Sequence, residues 1–258
     1  MFHLSPLLNI LYKLTRSAGK NILRDFSEIE RLQSSIKNSQ GFVDKSLRNL
    51  NQNIEDNLLK IKKDVKIFNI YEPSQQTCWL ILPLDSEINF SRGIAEFMIT
   101  VAYKENNKII DCIFYNPTND DAFFFGNGVG GSKNDFKLRV SEKKKISDSL
   151  ISINYKNAAN EELKILENLQ ISLKRKKINS RVNHSLFYEF SLLTEGKIDA
   201  LAFYDSSENI KEIFSFILKE TGGFFIEKLC NKKNLHLASN KYIGKIIKEM
   251  IENKYEDQ

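Results

Sequence analysis

The chain has 258 residues, of which 41% are hydrophobic and 11% aromatic, enough apolar material for a substantial core and too much for global disorder. Its net charge of +5, from 38 Lys and Arg against 33 Asp and Glu, is spread along the sequence and reads mostly as a solvated surface. The cysteines Cys78, Cys112 and Cys230 are far apart and form no C-x-x-C, which predicts a reducing compartment without a disulfide framework. No basic stretch leads into a long apolar segment at the start, and no apolar run nears the roughly 20 residues that span a bilayer. The expectation is a cytoplasmic protein with no membrane partner. Length allows one large domain or two intimate lobes, near residues 1–145 and 146–258.

Residues 7–27 predict an amphipathic helix. Leu7, Leu8, Leu11, Leu14, Ala18, Ile22 and Phe26 recur mostly three and four apart. A turn cluster follows at Asn38-Ser39-Gln40-Gly41, then a second helix over about 44–62 through Leu47, Leu50, Ile54, Leu58 and Ile61. From Val65 the period shortens, and Val65, Ile67, Phe68 and Ile70 predict a short strand. A loop at 71–76 leads to Trp79-Leu80-Ile81-Leu82, an apolar run that Pro83 breaks and Leu84-Asp85-Ser86 turns. Strands are expected over 93–103, 108–115, 122–125 and 136–140, the last alternating apolar and basic residues. Gly126-Asn127-Gly128-Val129-Gly130-Gly131 lies between the last two. It fits G-x-G-x-x-G, but a dinucleotide site needs that motif to open a helix, and a strand follows here, so it reads as a glycine-rich β turn. Strands in succession after two helices argue for a layered α/β or α+β domain with an antiparallel sheet.

The second half predicts a strand at 150–153 and a helix over 161–173 on Leu163, Leu166, Leu169 and Leu173. A further helix is expected over 181–194, a strand over 200–204, and a helix over 209–221 ended by Gly222-Gly223. Strands at 224–226 and 235–238 and a last helix over 241–252, with Ser239-Asn240 as its cap, finish the chain. His3, His184 and His236 are isolated and show no metal-ligand spacing. Lys143-Lys144-Lys145 and Lys174-Arg175-Lys176-Lys177 could contact phosphates, but no aromatic platform or nucleic-acid motif accompanies them. They read as solvated loops, and nucleic acid is left open without being expected.

The stretch from Trp79 to Phe90 resembles the signature of the inositol monophosphatase family, W-x-x-D-P-L-D-G-T-x-N-F. The resemblance runs nearly the whole length of the chain. Ala18-Gly19-Lys20, Leu23-Arg24-Asp25-Phe26, Leu32-Gln33 and Gly41-Phe42-Val43 match a bacterial pattern near the start. Tyr115-Asn116-Pro117 matches Y-N-P. Asn134, Leu138, Val140 and Ser141 match a glycine-containing segment, Gly196-Lys197-Ile198-Asp199 matches G-R-x-D, and Glu220 with Gly222-Gly223 matches E-A-G-G.

The resemblance implies a layered αβαβα sandwich, shared with fructose-bisphosphatases, and commonly a homodimer. It also implies Mg²⁺-assisted hydrolysis of a phosphate monoester, in which carboxylates hold the ions. Carried over by position, the metal ligands are Glu72, Asp85 and the backbone carbonyl of Leu84. Ser86 and Glu87 stand at the phosphate-binding G-T pair, with Glu87 at the water-positioning Thr. Three carboxylate positions are lost: Leu82 stands for the first Asp of the signature, Leu47 for an upstream Asp, and Ile210 for the Asp of a C-terminal W-D. Phe203 falls near the Glu that contacts inositol. Glu72, Asp85 and Glu87 could form a shifted cation site, or Asp85 could survive as a helix N-cap.

By resemblance to the family's Mg²⁺ cage the site needs about five carboxylates, and one that retains one or two is expected to be catalytically impaired. The leading expectation is a pseudophosphatase acting by binding or assembly with a protein partner. The alternative is a Mg²⁺-dependent phosphatase on inositol 1-phosphate or a related sugar phosphate. A third is an interaction protein of RNA or transcription complexes, since some bacterial relatives are linked to transcription machinery.

Overall fold

A computed structural model describes residues 4–32, 39–227 and 234–252 of the chain. Two compact units divide at Lys137/Leu138. Cys78 and Cys112 are buried and in no disulfide among the described residues. His3, Gln33, Asn38 and Cys230 lie outside the described residues.

The first unit opens with α1 (Pro6–Leu32) and α2 (Ser39–Ile61). Proline is tolerated at the first position of α1 because that N–H has no partner within the helix. Ser5 Oγ accepts from Leu8 N at 3.0 Å and donates to Asp111 Oδ2 at 2.8 Å, which caps the helix and ties it to the sheet. Ser39, Gln40 and Gly41 lie inside α2, where a turn was expected; Gln40 Nε2 donates to Asp44 Oδ1 one helical turn on. The sheet has seven strands in sequential order: β1 (Ile67–Asn69), β2 (Cys78–Leu82), β3 (Ile99–Glu105), β4 (Lys108–Asn116), β5 (Asp121–Gly126), β6 (Gly130–Lys133) and β7 (Phe136–Lys137). Only the β1/β2 pair is parallel.

Strand periodicity of two sorts the residues. Trp79, Ile81, Val101, Tyr103, Ile113 and Phe124 join one core with Leu11, Ala18, Ile22, Leu50 and Ile54 of the helices. Leu80, Leu82, Ala102 and Phe114 alternate with these and are buried on the opposite face. Gly19 lets α1 approach β4 closely; a Cβ there would sit 2.5 Å from the Tyr115 ring.

Three strand expectations need correction. The strand predicted over 93–103 starts at Ile99, because 92–98 belongs to a pinned loop described below. The strand over 136–140 stops at Lys137. Gly130 and Gly131 are in β6, not in a turn, paired to Gly126 and Phe125 of β5.

The second unit contains β8 (Leu150–Asn154), α4 (Asn160–Arg175), β9 (Asn179–Val182), α5 (Leu186–Thr194), β10 (Ala200–Tyr204), α6 (Glu208–Thr221), β11 (Phe224–Ile226), β12 (Leu235–Ser239) and α7 (Lys241–Glu252). Its sheet runs β11-β12-β10-β8-β9, with β8 parallel to both β9 and β10 and β12 antiparallel to its neighbours. Ile151, Ile153, Ala200, Ala202, Leu235 and Leu237 pack against α4 and α7. On the other face, Phe203 meets Phe214 of α6 at 5.5 Å between ring centroids, and Phe214 stacks on Phe190 of α5 at 3.7 Å. The unit is therefore a sheet between two helix layers, and the chain as a whole is the mixed α/β fold that was expected. The helix predicted over 181–194 divides into β9 and α5. Asn183 Oδ1 takes the Ser185 N–H at 2.8 Å, and Ser185 Oγ caps α5 by accepting from Tyr188 N.

Candidate functional site

Pro83 cannot donate to a ladder, and it ends β2 directly after Leu82. Asp85 then makes a reciprocal pair with Met98: Asp85 N donates to Met98 O at 3.2 Å, and Met98 N donates to Asp85 Oδ1 at 2.8 Å. Asp85 is 2% exposed. Its carboxylate thus holds shut the loop between β2 and β3. Ser86 Oγ accepts from Asn89 N and caps α3 (Glu87–Ser91), so the capping role the sequence offered to Asp85 belongs to Ser86. Asn89 closes the loop a second time, donating from Nδ2 to Glu96 O at 2.7 Å and accepting at its backbone carbonyl from Ile94 N at 2.8 Å. Phe90 and Phe97 pack edge-to-face beneath, with Phe26 of α1 against both.

The remaining positions carried from the signature are distributed as follows. Leu84 is buried, and Glu87 is exposed in the first turn of α3. Glu72 is exposed in the loop after β1, where its Oε2 accepts from Asn69 N at 3.2 Å. Leu82 is the last residue of β2, 5% exposed and paired to Thr100 of β3. Leu47 packs from α2 onto the core of the first unit. In the second unit, Ser207 Oγ caps α6 by accepting from Ile210 N, and Ile210 is fully buried in its first turn. Phe203 is fully buried too, its ring against Phe214 and His236.

Asp85, Ser86 and Glu87 are brought together by sequence adjacency alone. Among the described residues no group of three or more His, Cys, Asp or Glu side chains could hold a metal ion, and Glu72, Asp85 and Glu87 do not make one. Mg²⁺ demands near-octahedral oxygen ligands, usually with one or two carboxylates as anchors. The positions that the resemblance assigns to further anchors carry Leu47, Leu82 and Ile210, and Oδ1 of the buried Asp85 accepts from Met98 N. This donor set does not fit the Mg²⁺ cage that the signature implies.

Two polar groupings in the second unit escaped the sequence reading. His236, isolated in the sequence, is fully buried on β12 with Nε2 3.0 Å from the backbone oxygen of Asp205. Burial pulls its pKa down to about 4 and pushes the Asp205 carboxyl up, although the latter accepts from Ser207 N at 2.8 Å. Asp199, fully buried, accepts from Ser141 Oγ, from Leu150 N at 2.8 Å and from Lys143 Nζ at 3.4 Å. Asn240 donates to Ser141 Oγ and to Lys143 O, and its Oδ1 caps α7 by accepting from Tyr242 N and Ile243 N. The G-R-x-D match marked Asp199. Nothing in the local sequence pointed from it to Asn240.

A family model described as "Inositol monophosphatase family" matches residues 3–251. An inositol-1-monophosphatase of Rhizobium meliloti is 26% identical over 264 residues, covering 96% of this chain and 97% of the relative. The "Nus factor SuhB" of Xylella fastidiosa is 22% identical and covers 85% of this chain and 81% of its own. The native crystal structure of the extragenic suppressor protein suhB from Bartonella henselae superposes with a TM-score of 0.78 at 22% identity, covering 96% of this chain and 98% of the other. No helix among the described residues is long and apolar enough to cross a membrane.

Proposed function

Because the chain belongs to the inositol monophosphatase family, we propose that it keeps the family fold without the family's Mg²⁺-assisted hydrolysis, and acts by binding or assembly as a pseudophosphatase. The observation that carries this reading is the Asp85–Met98 pair. The one signature carboxylate that survives is buried and accepts a backbone amide, closing a loop, while its partner position is the apolar Leu82. Glu87 adds a further difficulty. A phosphate dianion at the cap of α3 would face its negative charge, and like charges at about 4 Å repel by roughly 1 kcal/mol even in bulk water.

Phosphate release from inositol 1-phosphate across a Mg²⁺ titration tests the proposal. The expected result is no turnover that depends on Mg²⁺. Robust Mg²⁺-dependent turnover, abolished in a folded Asp85→Asn variant, would establish a working Mg²⁺-dependent phosphatase on inositol 1-phosphate or a related sugar phosphate instead. The partner in the binding role is proposed to be a macromolecular assembly of the kind implied by the relatives named Nus factor SuhB. The acting form is proposed to be a homodimer, which light scattering after size exclusion reads directly.

A further inference from the structure

The two lysine runs are 29 residues apart in sequence from Lys145 to Lys174, yet the second sheet brings them to one edge. Its register aligns Phe224 of β11 with Ser239 of β12, Ser239 with Ala200 of β10, Ala200 with Ile151 of β8, and Ile151 with Ser180 of β9. The segment just before β8, the segment just before β9 and the segment just after β12 therefore emerge at the same end of the sheet. Five strands spaced about 4.8 Å apart make that end roughly 20 Å wide. Lys143-Lys144-Lys145 enters it beside α7, held by the Asn240 bond to Lys143 O at 3.1 Å, and continues into β8. Lys176 and Lys177 lead into β9 beside it, and Lys241 opens α7. All of these lysines are exposed. The nearby acids offset them only in part. Asp199 is buried against Lys143, Glu142 is ion-paired to Arg139, and Asp148 is exposed.

The same edge also carries aromatic surface, which the linear sequence had not revealed. Tyr242 is 46% exposed with Lys144 Nζ 5.1 Å over its ring. Phe224, at the far strand of the same edge, is 50% exposed. A row of cations with exposed rings is the arrangement that binds single-stranded nucleic acid, the cations following phosphates and the rings stacking bases. We propose that this end of the second sheet is a binding surface for single-stranded RNA or DNA, in which the two lysine runs follow the backbone and Tyr242 stacks a base. An acidic protein or an anionic membrane would use the charge but has no need of the ring. This goes beyond the loss of hydrolysis, and a phosphate-release assay is blind to it.

The test is fluorescence anisotropy of the full chain with a fluorescein-labelled oligouridylate of about 16 nucleotides. With about five phosphate contacts on a single strand, affinity is expected to fall about a hundredfold between 50 and 200 mM salt. Lys144→Glu/Lys145→Glu and Lys176→Gln/Lys177→Gln should each weaken binding at least tenfold, and Tyr242→Ala at least fivefold. Circular dichroism and melting confirm that each variant is folded; a variant that unfolds is replaced by the single substitution Lys145→Gln or Tyr242→Leu. Absence of binding at 50 mM salt overturns the proposal, as does binding that both lysine pairs leave unchanged. Binding that survives Tyr242→Ala intact overturns it too, because charge alone does not select a nucleic acid. Polyglutamate or phosphatidylserine vesicles that compete at equal charge concentration would assign the surface to an acidic protein or a membrane.

Discussion

Asp85 and His236 are buried polar side chains whose surroundings give them structural work. Asp85 satisfies the Met98 N–H, which lies in a region where Met98 itself is 1% exposed. Asp85→Ala leaves that donor unpaired and is expected to cost about 1–3 kcal/mol in urea unfolding. Asp85→Asn keeps an acceptor oxygen and should cost less. Equal losses in the two variants would show that the Met98 bond does not set the cost. His236 makes a pH prediction. Burial holds its folded pKa at about 4, below the unfolded value near 6.5, so the neutral ring is the folded form. Its stability contribution is complete above pH 6.5 and is lost as pH falls towards 4, at about 1.4 kcal/mol per pH unit. Asp205, raised by burial, works in the opposite sense in acid, and Lys211 and Glu208 also face the ring. The measurement is therefore a difference. His236→Phe keeps an aromatic ring between Phe203 and Phe225, and its melting temperature should fall less between pH 6.5 and 4.5 than that of the parent. Parallel pH curves would show that His236 is not the titrating group.

At the scale of elements, what could be read from the sequence was whatever local periodicity and capping decide. α1, α4, α6 and α7 follow from apolar spacing, and Gly222 from the need for a left-handed residue after α6. Gly222 has φ +77 with nothing within 4 Å of an added Cβ, so the cost of a side chain there is backbone strain alone. Gly222→Ala should lose about 1 kcal/mol and Gly222→Asn less, since Asn tolerates the left-handed region. Equal losses would mean that crowding, not φ, sets the cost. Where long-range partners decide, the sequence was silent. Arg181 and Val182 belong to a strand because β8 offers a parallel edge, although their spacing suits a helix. Residues 92–98 are a loop because Asp85 and Asn89 reach across to their backbone. Leu47, Leu82 and Ile210 could be read as missing ligands from the signature. That Asp85 accepts the Met98 amide could not, because that bond joins residues 13 apart across a turn. The basic edge has the same cause: only strand register brings the two lysine runs and Tyr242 to one end.

For the molecule as a whole, the proposed loss of a metal cage has a thermodynamic consequence that needs no substrate. A ligand that binds only the folded state stabilises it by RT ln(1 + [L]/Kd), about 2.7 kcal/mol at a hundredfold excess over Kd. For a chain of 258 residues each kcal/mol moves the melting temperature by about 2–4 °C. A working Mg²⁺ site would therefore raise the melting temperature by roughly 5–10 °C at that excess. The positions that the resemblance assigns to further anchors carry Leu47, Leu82 and Ile210, and no group of three or more candidate metal ligands occurs among the described residues. The expected outcome is a melting temperature that millimolar Mg²⁺ leaves unchanged relative to KCl of equal ionic strength, the matched salt removing the screening effect on exposed charges. Scanning calorimetry with Mg²⁺, Mn²⁺ and EDTA arms reads it. A rise of several degrees with Mg²⁺, reversed by EDTA and absent in Asp85→Asn, would mean that Asp85 holds a cation. The pseudophosphatase reading would then fail before any substrate had been tried.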